Sequence, residues 1–130
     1  VNQPDPADGI DVLAKVGGFD LAGMAGLFLG GAAEGIPVVI DGIISEAAAL
    51  AAYVICPNCV NYMIASHLSK EPAAQMILSK LGLDACWTVR CILERHRSLT
   101  LFPILDLACA VYNSMSTFEE ASIEQYEHLV

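Results

Sequence analysis

Two short segments place hydrogen-bonding residues where a small ligand would meet them. Asp41, Gly42 and Ser45 follow the apolar run Val38-Val39-Ile40, and Ser66, His67 and Ser69 follow Tyr62-Met63-Ile64-Ala65. In parallel sheets ligands collect beyond the carboxyl ends of strands, and a carboxylate, hydroxyls and an imidazole there can bind and carry protons. A third segment, Lys15-Val16-Gly17-Gly18, sets a lysine beside a glycine turn. Such a turn lets backbone N–H groups approach a phosphate while the ammonium supplies charge. Cys56-Pro57-Asn58-Cys59 is a lone CxxC. No second pair completes a zinc site, and the motif follows a helical run rather than a strand, so buried or incidental cysteines are expected and no metal. The sequence holds no GxGxxG, Walker A, HExxH or GxSxG motif, so the common nucleotide, metalloprotease and hydrolase chemistries lack their signatures.

Alternating helices and strands must position these residues. Pro4 and Pro6 keep the first eight residues extended. Asp8 or Asp11 caps a short helix through Lys15 that stops at Gly17-Gly18. Phe19–Ala33 is apolar nearly all round, as a helix buried on a sheet would be, and Gly35-Ile36-Pro37 breaks it. Its Gly26 and Gly30 form a GxxxG spacing that predicts a close helix–sheet contact. Val38–Ile40 has the β-branched, fully apolar character of a central parallel strand. Ser45–Ile55 predicts a helix, Tyr62–Ala65 a second buried strand, and Lys70 or Glu71 to Leu81 an amphipathic helix closed by Gly82. Leu99–Met115 and the acidic Thr117–Leu129 make the C-terminus helical. The order predicts an α/β class with a parallel sheet and flanking helices. Two strands do not complete such a sheet, so the 130 residues are expected to be one domain that forms part of a larger one.

Composition narrows the partners. The chain is 55% hydrophobic and 16% charged, which excludes intrinsic disorder. Six basic against fifteen acidic residues leave a net charge of −9, so no nucleic-acid partner is expected. Leu21–Ala33 is free of charge for 13 residues, and Pro57, Asn58, Asn61, Ser66 and His67 interrupt the stretch from Gly42 to Lys70. A membrane span needs about 20 apolar residues, so none is expected. The N-terminal VNQPDPADG lacks the basic region of a signal peptide, and a soluble, cytoplasmic chain is the expectation.

Three linked segments carry a resemblance: LAKVGGFDLAGMAGLFLGGAAEGIPVVIDGIIS (13–45), YMIASHLSKEP (62–72) and FPILDLACAVYNSMSTFEEASI (102–123). In order and spacing they are similar to the C-terminal portion of the nicotinate-nucleotide–dimethylbenzimidazole phosphoribosyltransferases of cobalamin synthesis. The resemblance implies a Rossmann-like α/β fold, a homodimer when full length, and no cofactor. It implies transfer of phosphoribosyl from nicotinate mononucleotide to 5,6-dimethylbenzimidazole, giving α-ribazole 5′-phosphate and nicotinate. By the same likeness Lys15, Gly17 and Gly18 lie at the nucleotide phosphate, and Asp41, Gly42, Ser66 and His67 line the cleft. The family's general base is a glutamate in a G-E-G-[TS]-G loop, which removes the benzimidazole N–H proton so that the ring nitrogen can attack C1′. Counting back from Pro103 puts Glu94 there, whereas counting forward from Leu81 misses it by one.

The loop itself departs from the family pattern. It reads Cys91-Ile-Leu-Glu94-Arg95-His96-Arg97-Ser98, without the flanking glycines. All three arginines (90, 95 and 97) and the only Trp (87) fall within eleven consecutive positions. So foreign a composition between matching segments is what a local shift of reading frame produces. The alternative is a catalytically silent α/β nucleotide-binding or interaction module that kept the scaffold and lost the loop.

Overall fold

The computed structural model describes residues 2–86 and 101–115. The chain divides into two compact units, Val1–Ser98 and Leu99–Val130. In the first, the order is α1 (Gly9–Val16), α2 (Phe19–Glu34), β1 (Val38–Ile40), α3 (Ile43–Ile55), a 3-10 helix (Pro57–Tyr62), β2 (Met63–Ala65) and α4 (Pro72–Leu81). Of the second unit, α5 (Leu101–Ser114) is described, and it exposes Phe102, Leu107, Val111 and Tyr112. Among the described residues no helix is long and apolar enough to cross a membrane. The expected helix over 117–129 and the loop bearing Glu94 lie outside the described residues.

Local chemistry sets the ends of each helix. Asp8 caps α1, its carboxylate accepting from the Ile10 and Asp11 N–H groups at 2.9 and 3.1 Å, which satisfies donors that have no partner inside the helix. Gly35 closes α2 at φ 69°, where a side chain would be strained, and the Ile36 N–H returns to the Gly31 carbonyl at 2.7 Å. Glu71 caps α4, Pro72 takes its first position, and Gly82 (φ 69°) ends it. Both α1 and α3 begin earlier or run further than expected, α1 to Val16 and α3 from Ile43 with Gly42 as its cap.

The sheet is a parallel pair with Val38 opposite Met63, Val39 opposite Ile64 and Ile40 opposite Ala65. Tyr62, expected to open β2, instead ends the 3-10 helix. The Cys86 N–H bonds the Ala65 carbonyl at 2.9 Å on leaving α4. α3 connects the strands and packs on α1, α2, α4 and the 3-10 helix. Its Ala48, Ala49 and Ala52 are wholly buried beside Phe28, Ile40, Cys59, Met63, Ile77 and Leu81. Small side chains along α3 let its neighbours come close: a Cβ on Gly9 of α1 would meet the Ala51 carbonyl oxygen at 2.8 Å.

Two expectations for α2 are corrected. It buries Ala25 and Phe28 only, while Phe19 is fully exposed and Leu27 is 66% exposed. The close approach to β1 is made by Gly31, where a Cβ would collide with Val38 Cγ2 and stand 2.8 Å from the Ile36 carbonyl oxygen. Gly26 and Gly30 face open space among the described residues. The GxxxG spacing is real but lies on the wrong side of the helix.

Candidate functional site

Both strands end at one cavity of about 590 Å³. Asp41 and Gly42 reach it from the end of β1, Ile43, Ile44 and Ser45 from the first turn of α3, and His67 from the end of β2. Ser69, Lys70 and Glu71 form the segment leading into α4, and Met24 contributes from α2. The strand-end placement follows from the parallel pairing, which brings residues 41 and 66 side by side although 25 positions separate them.

Two serines fix the local backbone. The Ser45 hydroxyl oxygen accepts from the Asp41 and Gly42 N–H groups, both at 2.9 Å, and the hydroxyl donates to the Gly42 carbonyl at 2.8 Å. It thereby holds the turn that carries Asp41 into α3. Ser66 is 2% exposed and stitches the strand ends together. Its N–H donates to the Ile40 carbonyl at 3.0 Å, and its hydroxyl donates to the same oxygen at 2.7 Å. Nδ1 of His67, which is also buried, stands 2.9 Å from the Ser66 oxygen. A hydroxyl has one proton to give. The hydroxyl lies closest to the Ile40 carbonyl oxygen, so the Ser66 side chain joins that carbonyl and the His67 ring in one buried contact.

The chemistry of the lining is mixed rather than uniformly basic. Lys70 brings a cation, Asp41 and Glu71 bring carboxylates, and the start of α3 directs N–H groups without intrahelical partners toward the cavity. Such a lining can hydrogen-bond a polar ligand and offers charge of both signs.

Of the residues singled out in the sequence, Asp41, Gly42 and His67 line this cavity and Ser66 supports it from behind. Gly17 and Gly18 border a different, more apolar cavity of about 380 Å³ with Ile10, Leu13 and Phe19. Lys15 lines neither. Its ammonium lies 2.7 Å from Asp11, one helical turn back, and 3.2 Å from the Gln3 carbonyl oxygen. The Lys15 pairing holds the Asp11 carboxyl below its usual range. Glu94 lies outside the described residues. Lys70 and Met24 were not singled out: Lys70 looked like an ordinary helix start, and Met24 comes from a distant segment with no local signal.

Another ionisable group is wholly buried nearby in the chain. Glu46, beside Ser45 on α3, has 0% exposure, and neither carboxyl oxygen has a hydrogen-bond partner among the described residues. Burial pushes its pKa up, because a charge withdrawn from solvent favours its neutral form.

Comparison with known proteins gives the family. A phosphoribosyltransferase family model matches residues 1–123. Nicotinate-nucleotide–dimethylbenzimidazole phosphoribosyltransferase from Ruminiclostridium cellulolyticum is 49% identical over 130 residues, which are 99% of this chain and 37% of that protein. The enzyme of the same name from Escherichia coli strain SMS-3-5 is 49% identical over 124 residues, covering 95% of this chain and 34% of its own length. The crystal structure of CobT from Thermus thermophilus superposes with a TM-score of 0.77 at 34% identity, over 91% of this chain and 35% of that one. The chain thus spans about a third of the length of the relatives it matches. With the family model covering nearly all of it, the chain belongs to the nicotinate-nucleotide–dimethylbenzimidazole phosphoribosyltransferase family.

Proposed function

We propose that the cavity at the ends of β1 and β2 receives the phosphoribosyl part of nicotinate mononucleotide, for transfer to 5,6-dimethylbenzimidazole with release of nicotinate. The observation that carries this reading is the convergence of Asp41, Gly42, His67 and Lys70 on one cavity at the carboxyl ends of a parallel pair, in a chain of this family. Lys70 and the N–H groups at the start of α3 meet the anionic group, and Asp41 accepts hydrogen bonds from ribose hydroxyls. The resemblance assigns Lys15, Gly17 and Gly18 to the phosphate as well, which would require a ligand that reaches beyond the cavity. In the same reading Glu94 is the general base that removes the benzimidazole N–H proton. The chain is then the C-terminal portion of a Rossmann-like, cytoplasmic enzyme that is a homodimer when full length.

The test is calorimetric titration with nicotinate mononucleotide, alongside nicotinate release on adding dimethylbenzimidazole. Binding that Asp41→Asn weakens at least tenfold supports the reading, and no binding at millimolar ligand overturns it. The missing glycines around Glu94 favour a second reading, a nucleotide-binding module without turnover. Binding with no nicotinate release would select the second reading. Release that is lost in Glu94→Gln would select the first.

A further inference from the structure

Cys56 and Cys59 take no part in the cavity described above, yet their geometry is specific. Cys56 is extended (φ −144°, ψ 95°) and serves at once as the end of α3 and the cap of the 3-10 helix Pro57–Tyr62. This differs from the expected position after a helix alone: Cys56 also opens a helical turn, with Pro57 at its first position. The Cys59 N–H donates to the Cys56 carbonyl oxygen at 3.1 Å. A four-residue turn closed by that bond keeps its first and fourth Cα atoms within about 7 Å, and a disulfide bridges Cα atoms about 4.4–6.8 Å apart. Both residues are thiols here, Cys56 exposed and Cys59 1% exposed in the core. Burial pushes the Cys59 thiol up, and the adjacent Cys56 sulfur adds to the effect.

We propose that Cys56 and Cys59 are a redox-active dithiol that closes to an intramolecular disulfide by exchange with a small-molecule disulfide. Cys56 is the sulfur such a reagent can reach. Its thiolate attacks one sulfur of the reagent, forming a mixed disulfide and expelling one thiolate, which takes a proton from water. Cys59 then loses its proton and attacks Cys56 Sγ, expelling the second thiolate. Two protein thiols and one reagent disulfide become one protein disulfide and two reagent thiols. Cys59 is buried away from the reagent, so it reacts second, with the neighbouring sulfur of Cys56. Closure ties the end of α3 to the 3-10 helix that precedes β2.

The test exposes the chain to graded mixtures of reduced and oxidised glutathione, alkylates the remaining thiols and maps the peptides by mass. The expected product is a Cys56–Cys59 disulfide free of glutathione that reopens with dithiothreitol. Cys59→Ser should stop at a mixed disulfide on Cys56, and Cys56→Ser should leave Cys59 unmodified. Glutathione persisting on Cys56 of the unsubstituted chain overturns the proposal. So does pairing of Cys56 with Cys86, Cys91 or Cys109, or two unchanged thiols under full oxidation. The readout is covalent and independent of ligand binding, so its failure is distinct from failure of the phosphoribosyl reading.

Discussion

The Ser66 hydroxyl and His67 Nδ1 stand 2.9 Å apart at the buried end of β2, and the same hydroxyl bonds the Ile40 carbonyl at 2.7 Å. One side chain therefore locks the strand pair and orients the imidazole. Ser66→Ala leaves the Ile40 carbonyl its bond from the residue 66 N–H but takes the hydroxyl away from His67 Nδ1. Removing one partner of a buried hydrogen bond costs about 1–3 kcal/mol, so the urea midpoint should fall accordingly. A variant within about 0.5 kcal/mol of the parent, the range of neutral surface changes, would show that the pair is not structural.

Lys70 and Lys15 make different predictions for an anionic ligand. Lys70 lines the cavity at the strand ends, and Lys15, held by Asp11 and the Gln3 carbonyl, does not. Lys70→Ala should weaken nicotinate mononucleotide binding about tenfold, the roughly 1.4 kcal/mol of one charge-assisted contact. Lys15→Ala should change it less than twofold. The reverse ranking in calorimetry would move the phosphate to the Gly17–Gly18 side.

The helix glycines separate contact from spacing. Gly31→Ala drives a methyl into Val38 and into the Ile36 carbonyl, which is backbone and cannot swing away. A loss of about 1–3 kcal/mol is expected from such overpacking. Gly26→Ala and Gly30→Ala meet open space in mid-helix, and each should stabilise by about 0.5–1 kcal/mol. Chemical denaturation of the three variants checks the sign at each position.

These contrasts show where sequence was informative. β1 was legible to the residue because Pro37 and Asp41-Gly42 bracket a β-branched run that only a doubly covered strand would carry. Asp41, Gly42, Ser66 and His67 were legible for the same reason, since polar residues at strand ends are positioned by the strands themselves. For Lys15 the sequence offered both a lysine before glycines, which suits a phosphate, and Asp11 four residues earlier, the spacing of an ordinary helical ion pair; the structure forms that pair. Met24 and Gly31 depend on how α2 is rotated against its neighbours. A helix that is apolar all round gives no periodic signal to fix that rotation.

Exposed apolar groups point to self-association. Phe19 is fully exposed, Ile10, Leu27, Ile36 and Ile44 are more than half exposed, and the sheet has two strands among the described residues. Such surfaces and open strand edges seek cover. The 130-residue chain should run as oligomers in light scattering, and a monodisperse monomer would contradict this.

Glu46 gives the last prediction, because its carboxyl is shut off from solvent and has no hydrogen-bond partner among the described residues. Its folded pKa is raised above the ordinary value of 4.5 by burial. Well below pH 4.5 the group is protonated in both folded and unfolded chains, and it adds no pH dependence. Above that value the unfolded chain releases the proton while the folded chain retains it, so stability falls as pH rises toward the folded pKa. Glu46→Gln removes this ionisation while keeping the shape. The difference in stability between variant and parent should be smallest well below pH 4.5 and grow in favour of the glutamine toward neutral pH. Denaturation at a series of pH values tests it, and a difference that stays flat with pH would mean that Glu46 ionises equally in both states.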